Sequence, residues 1–138
     1  MRVVADTNIF ISALLFGGLP GEFLRLALLQ EFTLITSSAL LDELGEKLRG
    51  KFAISDRDAL AIRAKLESSA TVVNPDFELN AVLDDPDDNR VLECALAGQA
   101  NCIVSGDRHL LRIGRYEEIA VLSVRQFLEA VRFKDIGA

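Results

Sequence analysis

The chain has no tryptophan, one tyrosine, one histidine, two cysteines and three prolines among 138 residues. Aromatic residues are 7% of the chain and nearly all are phenylalanine, so a mainly aliphatic core is expected. So few prolines in a chain that is half hydrophobic exclude a disordered protein. Cys94 and Cys102 form no CxxC pair and have no histidine beside them. Both are expected as buried free thiols, which suits a reducing cytoplasm. The lone His109 has no companion in the sequence with which to build a histidine site. Basic charge is also short: 15 Lys and Arg face 21 Asp and Glu, giving a net charge of −6. A dedicated nucleic-acid binder usually carries a basic face. An acidic chain reaches phosphate only where a bound cation supplies the positive charge. No apolar run is uninterrupted over a membrane-spanning length. The stretch 9–29 is broken by Gly17, Gly18, Pro20, Gly21, Glu22 and Arg25 and is expected as two helices of a soluble protein. No secretory leader is expected either, because the short run Arg2-Val3-Val4-Ala5 meets Asp6 at once.

The length fits a single domain over residues 1–138, large enough to bury a core. Apolar runs predict strands at 2–5, 32–36, 71–73, 102–104 and 119–122. Helical spacing predicts helices at 8–16, 20–30, 38–48, 56–68 and from Val91 to Gly98, a short one through Leu110 and Leu111, and a last one that buries Phe127, Leu128 and Val131. Ser37 or Ser38, Ser55 and Ser123 are the expected caps. Residues 76–83 fit neither pattern. Alternating strands and helices with near-continuous apolar strands predict an α/β fold, a parallel sheet covered on both faces.

Ligands in such sheets bind beyond the carboxyl ends of the strands. Asp6 ends the first strand and Asp107 follows the fourth. Asp88 opens the helix leading to the fourth, and Glu43 lies on the helix after the second. Each has a plainer alternative. Asp6 and Asp107 could be helix caps, although Thr7 and Asn8 could also cap the first helix. Glu43 could be a solvated surface acid beside Asp42 and Glu46. The run Asp84-Asp85-Pro86-Asp87-Asp88-Asn89 opens a helix with Pro and acids in the favoured positions. It is no EF-hand, since that loop needs Gly sixth and Glu twelfth, where Asn89 and Ala95 stand. Four converging carboxylates raise one another's pKa. A hard divalent cation, Mg²⁺ or Mn²⁺, is the natural compensation.

Asp6-Thr7-Asn8 with Ser12, Glu43 within Ser37-Ser38-Ala39-Leu40-Leu41-Asp42-Glu43-Leu44, Asp88 within 85–95, and Ile103-Val104-Ser105-Gly106-Asp107 with Leu110-Leu111 occur in that order. Together they resemble the four acidic motifs of PIN domains across about residues 2–128. The likeness is to the small bacterial and archaeal members described as toxins of toxin–antitoxin pairs, similar to VapC. It implies a three-layer α/β/α sandwich with a roughly five-stranded parallel sheet, and Mg²⁺- or Mn²⁺-dependent hydrolysis of RNA phosphodiesters. It implies Asp6, Glu43, Asp88 and Asp107 as catalytic metal ligands, with Asn8 and Ser105 orienting ligands or water. It further implies a homodimer and a small antitoxin that blocks the site.

Basic residues gather near two of these elements. Lys47, Arg49 and Lys51 end the Glu43 helix, and Arg90, Arg108, His109, Arg112 and Arg115 flank Asp88 and Asp107. Arg90, Arg108 and Arg112 are candidate RNA contacts; helix C-terminal placement explains such residues equally well. A haloacid-dehalogenase-like phosphatase needs a second Asp two residues after the first, where Asn8 stands. A dinucleotide binder needs a Gly-rich turn after the first strand, which is absent. A PIN-like fold that only binds a protein partner would tolerate loss of acidic groups, and all four are present.

Overall fold

The computed structural model describes residues 1–79 and 85–137, with 133–137 as backbone only. Asp84 and residues 80–83 of the ambiguous stretch 76–83 lie outside the described residues. The elements follow in the order β1 (Arg2–Ala5), α1 (Thr7–Phe16), α2 (Gly18–Leu28), β2 (Thr33–Ser37), α3 (Ser38–Gly50), α4 (Asp56–Ser69), β3 (Ala70–Val73), α5 (Pro86–Ala97), β4 (Cys102–Val104), α6 (Arg108–Ile113), β5 (Arg115–Tyr116), β6 (Ile119–Leu122) and α7 (Val124–Gly137).

The sheet runs β3-β2-β1-β4-β6-β5. Its first five strands pair in parallel, as the apolar runs predict. The sixth, β5, adds an antiparallel strand beside β6 to the five parallel strands expected. Its two residues turn at Glu117, which has a φ of 53°. Tight hairpin turns with positive φ usually carry Gly or Asn, so no residue in this turn signals a hairpin.

Successive residues of each strand point to opposite faces. Val3, Ala5, Leu34, Cys102 and Val104 pack on one side with Phe23, Phe32 and Phe127, under α1, α2, α3, α4 and α7. Val4, Ile35, Ile103 and Val121 pack on the other with Val91, Leu92, Ala95 and Leu110, under α5 and α6. The three phenylalanine rings meet with centroids 5.0–5.4 Å apart. On the opposite face α5 sits close to β2. A Cβ at Gly98 would lie 2.5 Å from Ile35 Cγ2, so only glycine fits there. Cys94 and Cys102 are buried and free, and burial pushes their thiols up to about 12 and about 11.

Among the described residues no single helix is long and apolar enough to cross a membrane. The α1–α2 pair covers the 9–29 stretch but bends by 107° at Gly17, and its residues Ile9, Phe10, Phe23 and Ala27 belong to the core.

The chain enters the sheet at its centre. It builds outward through β2 and β3, then returns to the other side of β1 for β4. The crevice between β1 and β4 is therefore the topological switch point, where α/β sheets bind ligands.

Candidate active site

Asp6 follows directly on β1, and its backbone N–H donates to Val104 O at 3.1 Å. The carboxylate is 6% exposed. It caps α1 by accepting the Ile9 N–H at Oδ1, 3.2 Å, as the capping alternative proposed. Its Oδ2 accepts the Ser105 hydroxyl. Capping and a place in the cleft thus coexist. Burial raises the Asp6 pKa and Asp107 adds to the rise; the Ser105 hydroxyl and the Ile9 and Asn8 N–H groups oppose it.

Ser105 is wholly buried beyond β4. Its hydroxyl donates to Asp6 and accepts the Asp107 N–H at 3.0 Å, so it ties the two strand ends together. Asp107 caps α6, its Oδ1 taking the His109 and Leu110 N–H groups at 2.7 and 3.3 Å. Asp88, in the first turn of α5, is 6% exposed. Its Oδ2 is buried without a hydrogen-bond partner. Burial, then the charges of Asp107, Asp85 and Asp6, push its pKa up to about 6 against a weaker pull from His109. Leaving a buried carboxylate oxygen unpaired is costly.

Glu43 stands on α3 across the cleft. It accepts the Thr7 hydroxyl at 2.9 Å and pairs with Lys47 Nζ at 3.4 Å. Burial raises its pKa first, then a hydrogen bond with Asp87; Thr7 and Lys47 act the other way. The cleft has a volume of about 50 Å³. Asp6, Glu43, Asp88 and Asp107 all line it, so the four acids chosen from the sequence do share one site. Larger grooves of about 400 Å³ between α2 and α7 and about 170 Å³ between α3 and α4 gather no such set.

Four polar lining residues were not anticipated as part of the site. Asp85 and Asp87 belong to the acidic run, where the start of the apolar helix singled out Asp88 alone. Thr7 was weighed only as a cap. Lys47 was weighed only as a helix-end charge, although its spacing of four from Glu43 places both on one helix face. Asn8 touches Lys47, its Oδ1 lying 3.4 Å from Nζ. Arg90 has its Nε 3.0 Å from Glu93 Oε1 and donates to Leu79 O at 3.5 Å; its guanidinium holds residue 79 against α5. Arg108 and Arg112 are exposed on α6, directly after Asp107.

Among the described residues no three His, Cys, Asp or Glu side chains form a preformed chelate. The donor chemistry still fits a hard cation. All the acids offer oxygen, their mutual repulsion calls for positive charge, and Asp88 Oδ2 is buried and unsatisfied. Mg²⁺ in particular binds through one or two carboxylates, keeping waters and taking phosphate oxygens for the rest.

The sequence matches the PIN domain family over residues 2–109, from β1 to just past Asp107. An uncharacterized protein of Methanocaldococcus jannaschii is 34% identical over 119 residues, covering 82% of this chain and 75% of that protein. PIN domains are a family of nucleases that typically use divalent metal ions and often occur in toxin–antitoxin systems. A mostly parallel sheet, a carboxylate cleft at its switch point and a family match spanning both agree: the chain belongs to the PIN domain family.

Proposed function

We propose that the chain is an endoribonuclease that hydrolyses RNA phosphodiester bonds with Mg²⁺ or Mn²⁺. The observation that carries this reading is Asp88 Oδ2, buried and unpartnered beside Asp6 and Asp107. Asp88, Asp6 and Asp107 would hold the ion on the β1–β4 side, and Glu43 adds negative charge from α3. A divalent cation bound there supplies positive charge at the scissile phosphate and lowers the pKa of a nearby water. Ser105 fixes Asp6 and positions Asp107 through its single hydroxyl. Burial of Asp6 and Asp88 excludes bulk water, which strengthens their hold on a cation. Arg108 and Arg112 extend from α6 as contacts for flanking phosphates. The phosphatase alternative has no support at Asn8, whose amide oxygen faces Lys47 where a second Asp would be needed.

Purified protein should cleave RNA with Mg²⁺ or Mn²⁺ and stop on addition of EDTA. Asp6→Asn should abolish cleavage without loss of thermal stability. Equal activity in wild type and Asp6→Asn would overturn the reading.

In the cell the chain would be the toxin of a toxin–antitoxin pair, a cytoplasmic homodimer inhibited by a small protein. The acidic cleft suits a basic segment of such a partner. A short neighbouring reading frame encoding a DNA-binding pattern and a basic tail would support this role; its absence would favour a housekeeping nuclease.

A further inference from the structure

We infer that Lys47 is a built-in cation that takes the place of a second divalent ion in the Glu43 half of the cleft, so that each chain binds one divalent ion. The inference rests on the metal-dependent reading above and specifies how that site is filled.

The Lys47 ammonium lies 3.3 Å from Thr7 Oγ1, 3.4 Å from Asn8 Oδ1 and 3.4 Å from Glu43 Oε1. These are a hydroxyl, an amide carbonyl and a carboxylate oxygen, contributed by α1 and α3. They are the donor types that surround a hard cation. The Thr7 hydroxyl gives its proton to Glu43 Oε2, which leaves its lone pairs to the ammonium. An ordinary Glu–Lys pair at a spacing of four on a helix would need only Glu43, and is worth a few tenths of a kcal/mol. The two further oxygens from another element make this a coordinated position.

The opposite half of the cleft differs. Asp6, Asp88 and Asp107 line it, and Lys47 is the one basic side chain among the described lining residues. The unpartnered Asp88 oxygen lies with that uncompensated group. The Glu43 half, where Asp87 also hydrogen-bonds Glu43, therefore carries one built-in positive charge, and the other half has none among its described lining residues. A compact ammonium on a flexible stem is suited to such a position, whereas it cannot supply the open coordination of a metal ion.

Titration calorimetry of metal-free protein with Mn²⁺ alone tests this, with melting curves confirming that each variant is folded. Wild type should take up one ion per chain, and Asp88→Asn should lose it. Lys47→Met, uncharged and of similar length, should gain a second ion bound at least about tenfold tighter than any second site of wild type. Glu43→Gln added to Lys47→Met should remove that second ion, and Lys47→Arg should retain the wild-type stoichiometry. Two ions in wild type, or the same isotherm in Lys47→Met, would overturn the inference while leaving metal binding intact. No Mn²⁺ uptake by any of these proteins would overturn the metal-dependent reading as well.

Discussion

Val4 and Ile103 lie side by side in the sheet, fully buried against the apolar face of α5. Two residues further along the same strands, Asp6 and Ser105 meet in a cleft crowded with like charge. The strand bodies contain only groups that gain from burial. The strand ends contain carboxylates that burial opposes, and Asp6 and Asp88 both show raised pKa values for that reason. Substitutions in the two regions should therefore differ in sign as well as in site. Truncating the bodies removes stability and spares chemistry; neutralising the ends removes chemistry and relieves strain.

The largest effect belongs to the apolar side. Phe127 is fully buried and contacts the rings of Phe23 and Phe32. Phe127→Ala should lower stability by about 3–5 kcal/mol in denaturant unfolding. Below its melting midpoint, the cleavage rate per folded molecule should match wild type. A loss of cleavage in the folded variant would break the separation between the two regions.

Asp88→Asn should move stability the other way. With its pKa at about 6 against an ordinary 3.8, Asp88 binds a proton more tightly in the folded chain than in the unfolded one. Metal-free protein should thus be most stable below about pH 4 with respect to this group, and lose that contribution as pH rises through about 6. The whole shift corresponds to about 2–3 kcal/mol. Asp88→Asn should recover stability of that order at neutral pH and flatten the pH dependence between these values. Some slope would remain, because Asp6 and Glu43 shift in the same direction. In wild type, Mn²⁺ at a hundred times its dissociation constant should restore about 2.7 kcal/mol. A destabilised Asp88→Asn, or a flat wild-type profile, would show that the cleft is not strained.

The two regions were not equally legible in the sequence. The strand bodies declared themselves through short apolar runs, and the helices through leucine spacing and serine caps such as Ser37 and Ser55. Those signals are local. Asp6 and Asp107 were also visible, because a carboxylate closing an apolar strand is out of place there. Glu43 was not distinguishable by position from Asp42 or Glu46. Only the packing of α3 against α1 brings it to the Thr7 hydroxyl, and that contact joins residues 36 apart. Asp87 escaped for the same reason, since its partner Glu43 lies on α3, and Lys47 escaped because Thr7 and Asn8 lie on α1, although Glu43 shares its helix. Arg90 looked available for RNA because its bond to Leu79 O joins residues 11 apart, which spacing within α5 does not reveal. β5 escaped because its turn uses Glu117 where a glycine signal was absent.

A smaller effect tests the link between the strand ends. Ser105→Ala removes the hydroxyl shared by Asp6 and the Asp107 N–H, leaving a buried carboxylate oxygen short of its donor. Stability should fall by about 1–3 kcal/mol, and the Asp6 pKa should rise further because Ser105 is the strongest influence holding it down. Cleavage should fall with it. Unchanged stability would mean that Asp6 finds another donor and that Ser105 is dispensable to the site.

The smallest stability effects provide a finer test, because they set apart two caps at comparable strand ends. Ser37 closes β2 and caps α3 through the Leu40 N–H at 3.2 Å, without a carboxylate. Asp107 follows β4 and caps α6 from within the cleft. Ser37→Ala should cost about 1 kcal/mol, since it loses the cap, and leave Mn²⁺ uptake and cleavage unchanged. Asp107→Asn should cost little stability, because asparagine caps as well as aspartate, yet it should weaken Mn²⁺ uptake and abolish cleavage. Calorimetry and RNA cleavage on both variants make the comparison. If Asp107→Asn retains both activities, Asp107 serves α6 alone, and the cation site contracts to Asp6 and Asp88.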